Sequence, residues 1–231
     1  MSDLAGAAAY VDRLATADPF ESLRVNKRLQ VSNTTRLRDG FATGRLFGTA
    51  PELAQFSGPE RTWLLTAEVA YECEEWTRAR TAYNAVSEKL GQRAKPGQAC
   101  YLQFMRAMCA MNIQPADVRE PIEILTFCSR TYVSTPTWPR VQLALWNLLQ
   151  WDESTRANAL DQLAKLIAST APQSYKDEAL FNRAQFFMVV RKDWPAARAM
   201  FNQLTSSSVV WVRQGALNWL DDTIRSKQGF P

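Results

Sequence analysis

Three glutamates, Glu72, Glu74 and Glu75, stand almost side by side and are the clearest candidates in this sequence for acid–base chemistry. Paired carboxylates can act as general acid and general base when their surroundings hold their pKa values apart. We predict that these residues lie beside a groove, since they fall at a turn between two predicted helices. A carboxylate-based enzyme is the least favoured of three functional hypotheses.

Histidine is absent from the sequence. This excludes Ser–His and Cys–His nucleophile pairs, imidazole general bases and histidine-containing metal sites. The sequence also lacks a GxxxxGK[ST] phosphate loop, a GxGxxG turn and an EF-hand calcium loop. We therefore predict that the chain is not an enzyme and has no cofactor, no metal and no catalytic residues.

The four cysteines are Cys73, Cys100, Cys109 and Cys128. Their spacings do not match the CxxC pattern of zinc sites and thiol oxidoreductases. Each lies in an apolar, helix-like context, where a free cysteine behaves as a small hydrophobic residue. We interpret them as buried thiols, and a disulfide is the alternative.

A basic stretch at residues 24–45 carries six cations against Asp39 alone, which gives it a net charge of +5 beside +4 for the whole chain. Such a segment can stay solvated, dock onto an acidic protein, or bind a phosphate backbone. Phe41 and Phe47 are the aromatic residues in and next to it, and it contains no recognised RNA motif. We place partner-binding candidates here: Arg24, Lys27, Arg28, Arg36, Arg38 and Arg45.

Helices must position all of these residues, because apolar residues recur at three- and four-residue steps along nearly the whole chain. We predict two helices before residue 32 and a loop-rich connector to residue 59. Four helix pairs and a last helix follow. Their predicted ranges are 60–73 with 75–90, 97–111 with 117–132, 138–150 with 153–169, 175–191 with 194–205, and finally 209–225.

One phrase occurs twice, as EWTRARTAYNAV at 75–86 and DWPAARAMFNQL at 193–204. Trp63 and Ala67 before the first copy, with Ala79 and Tyr83 inside it, show large–small–small–aromatic spacing. The second copy supplies Trp194, Ala197 and Phe201, and the last helix repeats the large–small step with Trp211 and Gly215. Small residues allow close helix approach and aromatic rings fill the gaps beside them, so we interpret these positions as core. We predict that the remaining polar residues of the phrase, Arg80, Asn84, Arg198 and Asn202, lie on the helix surface.

This spacing resembles the helix-pair consensus of the tetratricopeptide-repeat family. The resemblance implies an all-α fold, a right-handed αα-superhelix (solenoid) of about four helix pairs plus a terminal capping helix, with an N-terminal helical and loop arm. We accordingly divide the chain into an N-terminal arm at 1–59, a tetratricopeptide-like repeat domain at 60–225 and a short tail at 226–231.

The same resemblance implies a protein-binding groove lined by the first helix of each pair. The groove positions correspond to Arg61, Leu64, Glu68 and Glu72 in the first unit, and to Asn182, Arg183 and Phe186 in the fourth; a solvated helix face is the alternative. We therefore predict a non-catalytic protein–protein interaction scaffold, acting as an adaptor or a subunit of a larger complex. The alternative is a helical-repeat RNA-binding protein that uses residues 24–45.

Eight tryptophans are numerous for a chain of this length, and Trp138, Trp146 and Trp151 cluster together. Core packing is the expected role, whereas an exposed tryptophan would indicate an interface anchor. No apolar run reaches the roughly 18 residues of a membrane span, and the N-terminus does not resemble a signal peptide. We expect a cytoplasmic or organelle-matrix protein.

Overall fold

The computed structural model of the chain describes residues 52–57, 59–72 and 74–221, except for the side chains at 62, 65, 69 and 72. Within these residues the regular structure is helical, with no β-strand. Nine α-helices follow one another, and a 3₁₀ turn at Gly91–Arg93 follows the second. They are α1 Pro59–Glu72, α2 Trp76–Leu90, α3 Pro96–Ile113, α4 Arg119–Thr131, α5 Trp138–Leu149, α6 Arg156–Ala168, α7 Gln173–Val189, α8 Trp194–Leu204 and α9 Val210–Leu220.

The predicted all-helical fold is confirmed for the described residues, and each helix predicted between residues 60 and 225 is present. The largest difference at a helix start is in α6, which begins at Arg156 and not at 153. The Asp152 carboxylate accepts hydrogen bonds from the backbone N–H and the hydroxyl of Ser154, both at 2.8 Å. This local Asx-type turn occupies the residues that the periodicity had assigned to the helix.

The described helices form two compact units that divide between Thr137 and Trp138. In the first unit α1 packs on α2, α2 on α3 and α3 on α4. In the second unit each of α5 to α9 packs on the next, and α7 also contacts both α5 and α9. Consecutive helices are therefore packed in pairs, as the sequence predicts. The predicted domain at 60–225 spans residues of both units.

The residue just before each copy of the repeated phrase has the same backbone conformation. Glu74 and Lys192, which are 118 positions apart, both take the left-handed conformation, with φ of 63° and 57°. Each ends the turn between two paired helices, and a tryptophan begins the next helix two residues later. The shared spacing therefore encodes a shared turn.

The small and aromatic residues of the phrase are core residues, as predicted. Ala79 and Tyr83 on α2, and Ala197 and Phe201 on α8, have no exposed surface. The predicted close approach at Gly215 is also present, because a Cβ atom there would lie 2.7 Å from Cζ of Phe181. The Phe181 ring of α7 can lie against α9 at this point because Gly215 has no side chain.

Candidate functional site

The predicted groove face of α1 is mostly core. Leu64 has no exposed surface and Glu68 is 5% exposed, whereas Arg61 is exposed and its Nε donates a 2.6 Å hydrogen bond to the carbonyl of Phe56. The predicted location of Glu68 on an accessible groove surface is therefore wrong. The side chain of Glu72 lies outside the described residues, so its role stays a prediction.

Glu68 is buried because two tyrosines hydrogen-bond to its carboxylate. The hydroxyls of Tyr83 on α2 and Tyr101 on α3 donate to Oε1 of Glu68 over 2.8 and 2.7 Å. A buried carboxylate needs such donors, since removing it from water is otherwise costly. The arrangement joins three helices of the first unit through one oxygen atom.

The pKa of Tyr83 is raised well above its ordinary value, first by burial and then by the neighbouring Glu68 carboxylate. The hydroxyl thus stays protonated in the folded chain at a pH where the tyrosines of the unfolded chain, with a pKa of about 10, ionise. The stability that this protonation contributes is fully present below about pH 10 and is lost as the pH rises through the folded-state pKa.

We predict that the free energy of unfolding falls above about pH 10 by up to about 1.4 kcal/mol per pH unit on account of Tyr83 alone. The difference in stability between the wild-type chain and Tyr83→Phe, measured by urea unfolding at about pH 8 and about pH 11, isolates this residue. The difference in free energy of unfolding between the two proteins should be smaller at the higher pH, because only the wild-type chain loses the contribution of Tyr83. A gap that is the same at both pH values would contradict the prediction.

Two of the three groove residues predicted on α7 remain partly accessible. Asn182 and Arg183 are half-buried, and the guanidinium of Arg183 lies 5.7 Å from the ring centroid of Phe187. Phe186 is 5% exposed, and its ring meets Trp146 of α5 edge to face at 5.6 Å. Phe186 is therefore a core residue that packs α7 on α5, and its predicted place on the binding surface is wrong.

The acidic turn between α1 and α2 borders an open depression. Its volume is about 520 Å³. Glu74 and Glu75 are both exposed, and Glu75 is ion-paired with Arg78 at 2.8 Å. Both carboxylates face water, and the side chain of Glu72, the third glutamate of the predicted cluster, lies outside the described residues. The lining residues are Glu74, Glu75, Trp76, Thr77, Arg78, Asn112 and Ile113.

Two kinds of feature are absent from the part of the chain that the structure describes. No group of three or more cysteine, aspartate or glutamate side chains there is arranged to hold a metal ion. None of the helices there combines the length and the apolar character that crossing a bilayer requires. The basic residues predicted to contact a partner lie outside the described residues and stay a prediction: Arg24, Lys27, Arg28, Arg36, Arg38 and Arg45.

The most distinctive surface of the second unit is the outward side of α9. Val210 is 67% exposed, Trp211 51% and Leu217 45%, and Gln214 and Asn218 lie exposed among them. We call these five residues the α9 face. They recur at helical spacing, so they form one stripe, and none of them carries a charge.

The opposite side of α9 is fixed to the core. Val212 and Ala216 have no exposed surface and belong to the core cluster built by α7, α8 and α9. Before the helix, the Ser207 hydroxyl donates to the buried carboxylate of Asp177, and Arg213 donates to the Ser207 carbonyl at 2.7 Å. The α9 face is therefore a fixed surface with apolar side chains outside as well as inside.

Sequence reasoning missed the α9 face because it assigned Trp211 to packing. The ring of Trp211 does meet Phe181 edge to face at 5.5 Å, yet half of the residue remains exposed. Two features of the sequence could have indicated the α9 face. This helix is the last in the helical pattern, and it has apolar residues at 210, 211 and 217 in addition to those that face inward. A helix that is apolar all round usually has a neighbour on each side.

Trp151 is a second exposed aromatic residue, with 79% of its surface accessible in the turn between α5 and α6. The other two members of the predicted tryptophan cluster, Trp138 and Trp146, are buried. Core packing is thus confirmed for two of the three. Trp151 has the exposure that an interface anchor requires.

Comparison of the chain with protein-family models, with curated proteins and with solved structures finds no match. The function is therefore inferred from the surfaces of the chain itself.

Proposed function

We propose that this chain is a non-catalytic protein-interaction module, an adaptor or structural subunit of a larger assembly, that binds an apolar segment of a protein partner on the α9 face. The helix pairs would form a tetratricopeptide-like right-handed αα-superhelix with α9 as its terminal helix. The supporting observation is that α9 carries apolar side chains on both sides, with Val210, Trp211 and Leu217 exposed.

The energetics favour a covered α9 face. Fully burying a large apolar side chain contributes about 1.5–3 kcal/mol, so covering three side chains that are already partly buried would contribute about 1 kcal/mol each. The exposed amides of Gln214 and Asn218 already bond to one another at 3.1 Å and offer further donors and acceptors to a partner. An uncharged stripe of this kind suits an apolar helix better than an acidic peptide.

Two other surfaces belong to the same proposal. Trp151 would serve as an additional anchor, because exposed tryptophans are over-represented among residues that dominate interface energies. The basic stretch 24–45 would reach an acidic region of the partner, since its net charge of +5 exceeds that of the whole chain. Asn182 and Arg183, which stay partly accessible, would line the groove.

The test compares capture of partners by the purified full chain and by the double variant Val210→Asp/Leu217→Asp. Both positions are exposed, so the substitutions place charge on the α9 face without disturbing the core. We expect the wild-type chain to retain a stoichiometric protein from a native lysate and the double variant to lose at least about tenfold of it, as two buried charges would cause.

Phe127→Asp is the matched control. Phe127 is apolar and 51% exposed, between the values for Val210 and Leu217, but it lies on α4 of the first unit. It should retain the partner as the wild type does. Equal retention by all three proteins, or no stoichiometric protein at all, would contradict the proposal. Capture of RNA with a steep dependence on salt concentration would favour the alternative of a helical-repeat RNA-binding protein.

A further inference from the structure

The exposed side of α4 carries one aromatic residue between opposite charges. Four of its exposed residues follow one another at steps of three, four and three: Glu120, Glu123, Phe127 and Arg130. This spacing places them on one side of the helix, and it is the spacing of two helices that pack along a shared seam. We call these four residues the α4 stripe. Phe127 is 51% exposed, and Glu120 is ion-paired with Arg80 of α2.

The other side of α4 is held in the core of the first unit. Leu125 and Cys128 have no exposed surface, and the helix packs on α3. The exposed ring of Phe127 is oriented by Tyr132, whose ring it meets edge to face at 5.7 Å. Val133, the residue after Tyr132, is 57% exposed and adds apolar surface at this end of the helix. The α4 stripe is therefore a fixed surface with an apolar centre.

Two charges of the α4 stripe have no ion pair in the described part of the chain. These are Glu123 and Arg130, both of them exposed. Arg119, one turn before Glu123, is instead ion-paired with Asp117 at 2.7 Å. Glu123 and Arg130 are seven residues apart, which is about 10 Å along the helix axis, so they cannot pair with one another within one chain.

We propose that two copies of this chain associate through the α4 stripe, with the two α4 helices antiparallel and related by a two-fold axis. An axis that crosses α4 between residues 126 and 127 brings Glu123 of each copy opposite Arg130 of the other, because the two positions are equally far from that point. The two ion pairs then flank the two Phe127 rings, which cover one another. The inference concerns a different surface from the α9 face and does not depend on the proposed function.

The charge pattern favours a second copy as the occupant of this surface. An acidic partner would repel Glu123, and a basic partner would repel Arg130. A parallel pairing of two copies would place like charges opposite one another at both positions. The antiparallel pairing instead opposes unlike charges twice, and it also opposes the two helix dipoles favourably.

The dimer is expected to be weak and reversible. A seam formed by one helix from each copy covers less than the roughly 1,200 Å² at the lower end of stable protein interfaces. We therefore expect a dissociation constant on the order of 10 μM. Salt should weaken the association, since both ion pairs lie in contact with water.

The test measures the association of the purified full chain by sedimentation equilibrium from about 1 μM to about 300 μM. The wild-type chain should change from monomer to dimer across this range. Phe127→Asp should raise the dissociation constant at least about tenfold, because two carboxylates would then face one another at the axis. The double variant Val210→Asp/Leu217→Asp should dimerise as the wild type does, which distinguishes the α4 stripe from the α9 face.

Exchange of the two charges tests the antiparallel arrangement. Glu123→Arg and Arg130→Glu should each stay monomeric over the same concentration range, because each substitution opposes like charges twice. An equimolar mixture of these two variants should form a heterodimer, since unlike charges then meet at both positions. The variant that carries both substitutions should dimerise with a dissociation constant within about threefold of the wild type. Recovery of association in the mixture would also show that both single variants are folded.

A wild-type chain that stays monomeric at the highest concentration would overturn the proposal. A dimer that persists unchanged in Phe127→Asp, or a mixture of the two charge variants that does not associate, would overturn it as well. Loss of the dimer in Val210→Asp/Leu217→Asp with retention in Phe127→Asp would assign self-association to the α9 face and equally contradict it. Capture of a protein partner is a separate measurement, so either proposal can fail without the other.

Discussion

Replacing Glu68 with alanine is expected to lower the free energy of unfolding of the first unit by about 2–5 kcal/mol. The carboxylate is 5% exposed and accepts hydrogen bonds from the hydroxyls of Tyr83 and Tyr101. The substitution removes the common acceptor of two buried hydroxyls, at about 1–3 kcal/mol for each group, and leaves a cavity at the meeting point of three helices. Urea unfolding followed by circular dichroism measures the loss.

Two further variants separate the buried network from a general effect of charge. Glu68→Gln keeps an acceptor oxygen, so its loss should be smaller than that of Glu68→Ala. Glu74→Ala removes an exposed glutamate from the nearby turn and should change stability by no more than about 0.5 kcal/mol. If Glu68→Ala were as mild as Glu74→Ala, then Glu68 would belong to an accessible surface, as the sequence alone predicted.

The helices were predictable because their determinants are local. Pro59 and Pro96 begin α1 and α3, and Asp193 caps α8 by accepting a hydrogen bond from the backbone N–H of Ala196 at 3.1 Å. Each of these signals acts within one helical turn, so it is present in the sequence itself. The core role of Ala79 and Tyr83 was also predictable, since small and aromatic residues at that spacing favour helix packing.

The errors concern residues whose partners are distant along the chain. Periodicity groups Glu68 with Leu64, but it does not show that tyrosines 15 and 33 positions further on would satisfy a buried carboxylate. Phe186 was assigned to a groove because the ring that covers it, Trp146, belongs to a helix 40 positions earlier.

The two copies of the repeated phrase show how neighbours decide the role of a polar residue. Arg198 and Asn202 are exposed, as predicted. Their counterparts in the first copy are half-buried: Arg80 is ion-paired with Glu120 of α4, and the side-chain oxygen of Asn84 is buried without a hydrogen-bond partner among the described residues. Arg80 thus keeps only part of its surface accessible because it pairs with another helix.

The second large effect is expected at Phe201, the aromatic residue of the second copy. Its ring meets Phe181 edge to face at 5.7 Å and stacks on Trp219 at 6.5 Å, and the residue has no exposed surface. Truncating a fully buried phenylalanine to alanine costs about 3–5 kcal/mol, because apolar contacts are lost and a cavity remains. We therefore expect Phe201→Ala to destabilise the second unit by this amount.

Two measurements locate the effect of Phe201→Ala. Tryptophan fluorescence should show unfolding at lower urea concentration, since Trp194 and Trp219 both lie beside the Phe201 ring. Hydrogen exchange should accelerate across α7 to α9, because those helices share one core cluster. Asn202→Ala is the matched control: it changes the next residue of the same helix, which is exposed, and should stay within about 0.5 kcal/mol of the wild type. Equal losses of stability from both variants would mean that the repeated phrase does not mark the core. Phe201 would then be assigned to a binding surface.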